Sequence, residues 1–455
     1  MANTGRTIAL FALAAALSAP AHAQEGVAAP VPASVVGQRW AEAQKRAQAT
    51  LDQMTPEEKT VLVHGQLAVP IMGPLNLPAD AVIGAGYVHG VPRLGVPSLR
   101  ETDASLGVAW LMGLRKDGAT ALPSAVAMAA SWNPQMVEVA GGMIGGEARA
   151  KGFNVMLAGG VNLLRDPRNG RTFEYFSEDP LLSGVLVGHA IRGIQSNGII
   201  STIKHFAVND QESGRYFLDA HISEKAARES DLLAFRIGME IGDPASVMCA
   251  YNKVNGAYAC DNDWLLNSVL KQDWGFKGFV MSDWGAVPGT QAAIHGLDQQ
   301  SGEQMDKKPW FAAPLTEKAA ADTAYSIRVD DMNRRILSAI YARGLDKPFT
   351  ASGAIDFERN LKVSLDVAQQ GIVLLRNERG VLPLAASAKS IAVIGGFADS
   401  GVLSGAGSSQ VHGKEGPSVS LSMGGSGPFS GLIAEQYQGK PPLDAIKARA
   451  KGAAG

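Results

Sequence analysis

The sequence predicts an α/β protein: a parallel β/α barrel over about residues 40–345, followed by a smaller, incomplete α/β layer. Three observations carry this. Short apolar runs alternate with amphipathic stretches through the first region, the pattern of strands and helices around a parallel sheet. The run Val280-Met281 ends in Ser282-Asp283-Trp284, an acid and an indole at the tip of a buried strand, where a parallel barrel keeps its active site. After a stretch holding Pro348, Ser352 and Gly353, apolar runs at 371–375 and 390–396 resume the pattern.

The elements follow in chain order. Arg6, the apolar stretch from Ile8 to Leu17 and Ala21-His22-Ala23 form the three parts of a secretory signal peptide, so residues 1–23 are expected to be removed and the protein exported to periplasm or medium. That stretch is shorter than the roughly 20 residues a membrane span needs, and no later one is long enough. Thr55-Pro56-Glu57-Glu58 has capping-box spacing with proline at the first helical position. Asn133-Pro134 and Asp179-Pro180 repeat the cap-then-proline signal, the second opening a helix towards Gly198. Runs near Val155, Ile203, Val247 and Val280 are expected strands, each leading into a polar turn. Leu265, Leu266, Val269 and Leu270 make a helical stripe that stops at Gly275; Val329, Met332, Ile336 and Ile340 make another before Gly344. The expected boundaries are a barrel at 40–345, a linker at 346–362 and a partial α/β layer at 363–455. Two strands and one terminal helix near 444–450 would leave sheet edges unpaired, so the chain is expected to be truncated.

Composition narrows the function. Hydrophobic residues at 46%, charged residues at 18% and 52 glycines describe a well-buried chain with many tight turns. A net charge of -2 gives no basic footprint, so no nucleic-acid partner is expected. The eight histidines show no metal-ligand spacing, and no cofactor motif is present: Ser404-Gly405-Ala406-Gly407-Ser408-Ser409 lacks the Lys-Ser/Thr ending of a phosphate cradle. Cys249 and Cys260, close in sequence in a chain expected to be exported, favour a local disulfide over two free buried thiols. Oligomeric state is left open.

Charged residues at or after the expected strands are Asp103, Arg165, Lys204, His205 and Asp283, with Tyr251 and Trp284 beside them. The set suits a neutral polyol, because carboxylate, guanidinium and ammonium make charge-assisted hydrogen bonds to hydroxyls while an aromatic face covers the ring. Each has a plainer alternative: Asp283 as a helix cap, Asp103 as a turn residue, His205 as a core histidine, Tyr251 as packing. Arg171 reads as an ion-pair partner of Glu174 rather than a sugar contact.

Several of these residues stand in longer motifs. Ser282-Asp283-Trp284, Lys204-His205-Phe206 with Asn209-Asp210-Gln211-Glu212, and Arg165-Asp166-Pro167 with Gly170-Arg171 are three. Ser177-Glu178-Asp179-Pro180, Met248-Cys249-Ala250-Tyr251-Asn252 and Gly371-Ile372-Val373-Leu374-Leu375-Arg376-Asn377 are the others. From about Asp103 to Val411 the set resembles glycoside hydrolase family 3, particularly bacterial β-glucosidases. The resemblance implies a (β/α)8 TIM-like barrel followed by an α/β sandwich domain, incomplete here, and cleavage of terminal β-linked glucose with retention. It makes Asp283 the nucleophile. It also makes Asp103 the grip on distal sugar hydroxyls, Arg165, Lys204 and His205 contacts to ring hydroxyls, Tyr251 the aromatic beside the nucleophile, and Trp284 an indole wall. The family's acid/base glutamate comes from a loop beyond the segment resembling Ser408-Ser409-Gln410-Val411. Glu415 and Glu435, the only glutamates after Glu378, match no such loop, so no acid is named. A β-xylosidase, a β-N-acetylglucosaminidase using Asp219-Ala220-His221, and a carbohydrate-binding protein without turnover are the alternatives.

Overall fold

Local signals set the helix starts in the computed structural model, which describes residues 32–70, 76–348, 354–422 and 434–450. The segment 1–23, expected to be a signal peptide, lies outside them. The Thr55 hydroxyl accepts from the Glu58 amide at 3.3 Å while the Glu58 carboxyl accepts from the Thr55 amide at 3.0 Å, opening helix Pro56–Val61. Asn133 and Asp179 cap helices Pro134–Ala150 and Pro180–Gln195 in the same way, each with proline next.

The strands are β1 (Gln66–Ala68), β2 (Gly84–Val88), β3 (Leu99–Asp103), β4 (Val155–Leu157), β5 (Ile200–Phe206), β6 (Asp219–Ala220), β7 (Ser246–Cys249), β8 (Lys253–Val254), β9 (Ala257–Tyr258), β10 (Phe279–Met281), β11 (Val419–Ser422) and β12 (Ala434–Tyr437). One sheet runs β1-β2-β3-β4-β5-β7-β10. Strands β3, β4, β5, β7 and β10 are parallel; β2 runs against both its neighbours. The ring closes through a short segment: Gln299 pairs with Met281 and Gln300 with His64, both in parallel sense. The chain thus folds as a TIM-like barrel with one reversed strand, and the expected strands at Val155, Ile203, Val247 and Val280 are β4, β5, β7 and β10. All four are buried along their length, as strands covered on both faces must be.

Helices Pro134–Ala150, Pro180–Gln195 and Asp231–Gly242 pack side by side outside this sheet. Their close approach needs glycine: a Cβ at Gly193 would lie 2.1 Å from the Glu138 carbonyl oxygen. The expected helix at 265–270 is present as the π-helical stretch Trp264–Asp273, and all four stripe residues are buried. Helix Thr323–Ala342 packs on the N-terminal helix Ala33–Leu51.

Two expectations beyond the barrel are corrected. Within the expected linker 346–362, Asp356 caps a helix, Phe357–Gly371, that docks on the barrel's helices. Asn360 reaches Glu147 at 2.7 Å and Ser364 the Ala121 carbonyl at 2.7 Å. The runs 371–375 and 390–396 are not strands. Gly371 ends that helix, and Ile372 to Leu375 have no regular structure and are exposed, as is Ile394. A strand needs a neighbour to take its amides and carbonyls, and among the described residues none lies beside either run. Among the described residues, the regular structure after 372 is the antiparallel pair β11–β12 and helix Pro442–Ala450, besides isolated single turns.

Candidate active site

The carboxyl ends of the parallel strands converge on one bowl. β3 delivers Asp103, β5 Lys204 and His205, β10 Asp283 and Trp284, and the turn after β7 Tyr251. Cys249 and Cys260 are disulfide-bonded across that turn, with Cα atoms 5.1 Å apart.

Asp283 has two unlike oxygens. Oδ1 accepts from the Tyr251 hydroxyl and the Trp284 amide, both at 2.8 Å. Oδ2 is buried without a hydrogen-bond partner among the described residues, 3.6 Å from His205 Nε2. That contact is not an ion pair: burial, then the nearby Arg171, Lys204 and Arg215, hold the imidazole well below its usual range, so it is neutral. Tyr175 lies 3.0 Å from His205 Nδ1, and burial raises its phenol pKa, so it keeps its proton. With the Tyr175 hydroxyl donating to Nδ1, Nε2 carries the imidazole proton and faces Asp283.

Lys204, 1% exposed, sits 3.0 Å from Glu174 Oε1 and 3.8 Å from Asp103 Oδ1. Glu174 is wholly buried and pairs with Arg171 at 2.6 Å. Burial would raise its pKa, but Arg171 and Lys204 hold it down to about 2. Asp103 goes the other way: burial, with Glu174 and Asp283 adding to it against Lys204, pushes it up to about 6. Arg215 stacks 3.9 Å above the Tyr251 ring and pairs with Glu212 at 2.6 Å, while Tyr216 meets the same ring at 4.7 Å. Trp284 is clamped rather than open, at 9% exposure. Its Nε1 donates to the Ala85 carbonyl at 3.1 Å, and a Cβ at Gly302, whose φ is +56°, would lie 2.0 Å from the ring.

The structure thus joins Asp103, Lys204, His205, Tyr251, Asp283 and Trp284. It does not join Arg165, whose half-exposed side chain is held outside the bowl by Asp231 at 2.5 Å and Asp210 at 3.1 Å. Arg171 supplies the guanidinium inside. Arg215, Glu174 and Tyr175 were not singled out as site residues; the signal available was charge inside apolar context, as in Phe173-Glu174-Tyr175-Phe176. The Asp219-Ala220-His221 segment forms part of a small separate sheet with β8 and β9, and His221 is 77% exposed. The chain after the barrel returns to this rim: the Trp110 amide donates to the Gln410 carbonyl at 2.7 Å, and the Ser409 hydroxyl lies beside Glu174. Among the described residues no group of three or more His, Cys, Asp or Glu is arranged to hold a metal ion. No described helix is long and apolar enough to cross a membrane.

A ring of carboxyls and cations around a neutral imidazole, with a clamped indole beside it, places many donors and acceptors at fixed angles and suits a polyhydroxylated ligand. Barrel and bowl define the class, that of α/β-barrel proteins with their site at the carboxyl ends of the strands. The chain belongs to glycosyl hydrolase family 3, whose N-terminal domain signature matches residues 55–304 and whose C-terminal domain signature matches residues 372–454. It is 35% identical over 393 residues to beta-glucosidase BoGH3A of Bacteroides ovatus, covering 80% of this chain and 50% of that protein. Thermostable beta-glucosidase B of Acetivibrio thermocellus is 35% identical over 376 residues, 79% of this chain and 46% of its own. Among solved structures, beta-glucosidase 3B of Thermotoga neapolitana in complex with alpha-D-glucose superposes with a TM-score of 0.77 at 33% identity, over 89% of this chain and 54% of that one. DesR, a beta-glucosidase of Streptomyces venezuelae in complex with D-glucose, gives 0.76 at 37% identity, over 90% and 49%. The chain spans about half the length of the curated relatives it matches.

Proposed function

We propose that the chain cleaves terminal β-linked glucose from β-glucosides by retaining double displacement, with Asp283 as nucleophile. The observation that carries this is the asymmetry of the Asp283 carboxyl: Oδ1 is held by two donors, and Oδ2 is buried and uncommitted. Oδ2 attacks the anomeric carbon, the aglycone oxygen departs and takes a proton from solvent, and a glycosyl ester forms; water then attacks the same carbon with a second inversion, releasing glucose, the Asp283 carboxylate and a proton to solvent. Two donors on Oδ1 fix the carboxyl plane through both steps. Asp103 and Lys204 form a charged pair suited to sugar hydroxyls, and His205 offers a neutral donor beside the reacting oxygen. No acid/base residue is assigned. Aryl glucosides with good leaving groups isolate the role of Asp283, because acid assistance, worth typically 10²- to 10⁴-fold, matters least for them. Glucose is favoured as the sugar because the relatives named above are beta-glucosidases. Export belongs to the same reading and is supported by the signal-like residues 1–23 and the Cys249–Cys260 disulfide.

Peptide-mapped labelling with an activated 2-deoxy-2-fluoro-β-glucoside tests the reading. A mass adduct on Asp283 is expected, and none in Asp283→Ala. A folded protein that binds glucose yet takes no label from the glucoside, the xyloside or the N-acetylglucosaminide would be a binding protein instead.

A further inference from the structure

Glu101 precedes Asp103 by two residues on β3, so both side chains face the barrel interior. Its register partner on β2 is Gly86. A Cβ at Gly86 would lie 2.1 Å from Glu101 Oε2 and 3.1 Å from Trp284 Cζ2. The Glu101 carboxyl therefore fills the room that a side chain at 86 would take, close to the indole that follows Asp283. It is 1% exposed, and its Oε1 has no hydrogen-bond partner among the described residues. The elements around it bring little charge: β2 offers Gly86, β4 Val155, the turn after β10 Trp284, and β3 itself Asp103. An ionised carboxyl there would be buried, unpaired and beside a second acid. Burial, and then Asp103, push its pKa up to about 8.

Resting on the glycosidase reading above, we propose that Glu101 is a positioning residue of this site: an un-ionised carboxylic acid that holds the Trp284 indole and Asp103 in place, and whose ionisation sets the alkaline limit of activity. Loss of its proton to solvent puts a charge next to Asp103 and against the indole. The two groups are driven apart, and Trp284 carries the amide that fixes Asp283 Oδ1.

The test compares the full chain with Glu101→Gln, which keeps the side-chain shape and is neutral at every pH. The rate of Asp283 labelling by the fluoroglucoside is followed from about pH 6 to about pH 10. The parent rate should fall above about pH 8, while Glu101→Gln should hold its own plateau further, so that their ratio climbs about tenfold or more at the alkaline end. The same alkaline limb in both proteins overturns the proposal. A second readout does not depend on turnover. The folded value lies above the ordinary 4.5, so the stabilisation from the neutral acid is present at low pH and lost as pH rises towards about 8. The unfolding midpoint of Glu101→Gln relative to the parent should climb across that window; a pH-independent difference overturns the proposal. If neither protein is labelled at any pH while the midpoint difference climbs, the glycosidase reading falls and the positioning role falls with it.

Discussion

At the residue scale the site is a set of groups whose neighbours fix their charge. Tyr251→Phe removes one of the two donors on Asp283 Oδ1. A hydrogen bond to a charged group is worth about 1.5–3 kcal/mol, so kcat/KM on an aryl glucoside should fall about 10- to 100-fold with the fold intact, and circular dichroism separates the two effects. Asp103, pushed up to about 6, is charged above that value and neutral below it. Glucose affinity should therefore weaken as pH falls through about 6, and Asp103→Asn should bind weakly and lose that dependence; calorimetric titration reads both. Its effect on folding has the opposite sense, since a pKa raised by burial means stability lost as pH rises from the ordinary 3.8 through about 6. Strand-end residues such as Asp283 were legible because an apolar run stops at each of them. The choice of Arg171 over Arg165 was not, because it depends on Asp210 and Asp231, which flank Arg165 only after folding.

At the scale of elements, caps were legible because they are local. Asp179 accepts from the Leu182 amide at 2.8 Å, and Asp179→Ala should cost about 1 kcal/mol in denaturant unfolding. The loop closed by Cys249 and Cys260 spans a separation of 11 residues and carries Tyr251. Replacing both cysteines with alanine should cost about 2–4 kcal/mol, and activity should fall further than in a simple destabilised variant because Tyr251 loses its tether. Strands at 371–375 and 390–396 were misread for a matching reason. Their apolar and β-branched content is a property of a segment, whereas a strand is a property of a pair, and the partner is not written in the segment. β4, β5, β7 and β10 read correctly because each has neighbours on both sides.

At the scale of the molecule, the region after the barrel leaves a dense run of large apolar side chains open: Leu375 is 91% and Ile394 94% exposed, with Ile372, Val381 and Phe397 also open. Apolar surface of this kind binds hydrophobic dyes and promotes association. Leu375→Lys with Ile394→Lys should lower dye fluorescence and concentration-dependent association while leaving Asp283 labelling unchanged. The closure of the ring has a consequence in time. His64, at the head of β1, pairs with Gln300, and the Gly65 amide donates to the Gln300 carbonyl at 2.8 Å. A polypeptide that emerges amino end first must carry this first edge open until residue 300 has appeared, because among the described residues no earlier segment pairs there. Assembly of the catalytic mouth is therefore a late event in the life of each molecule, and the waiting edge is where a holding factor would act.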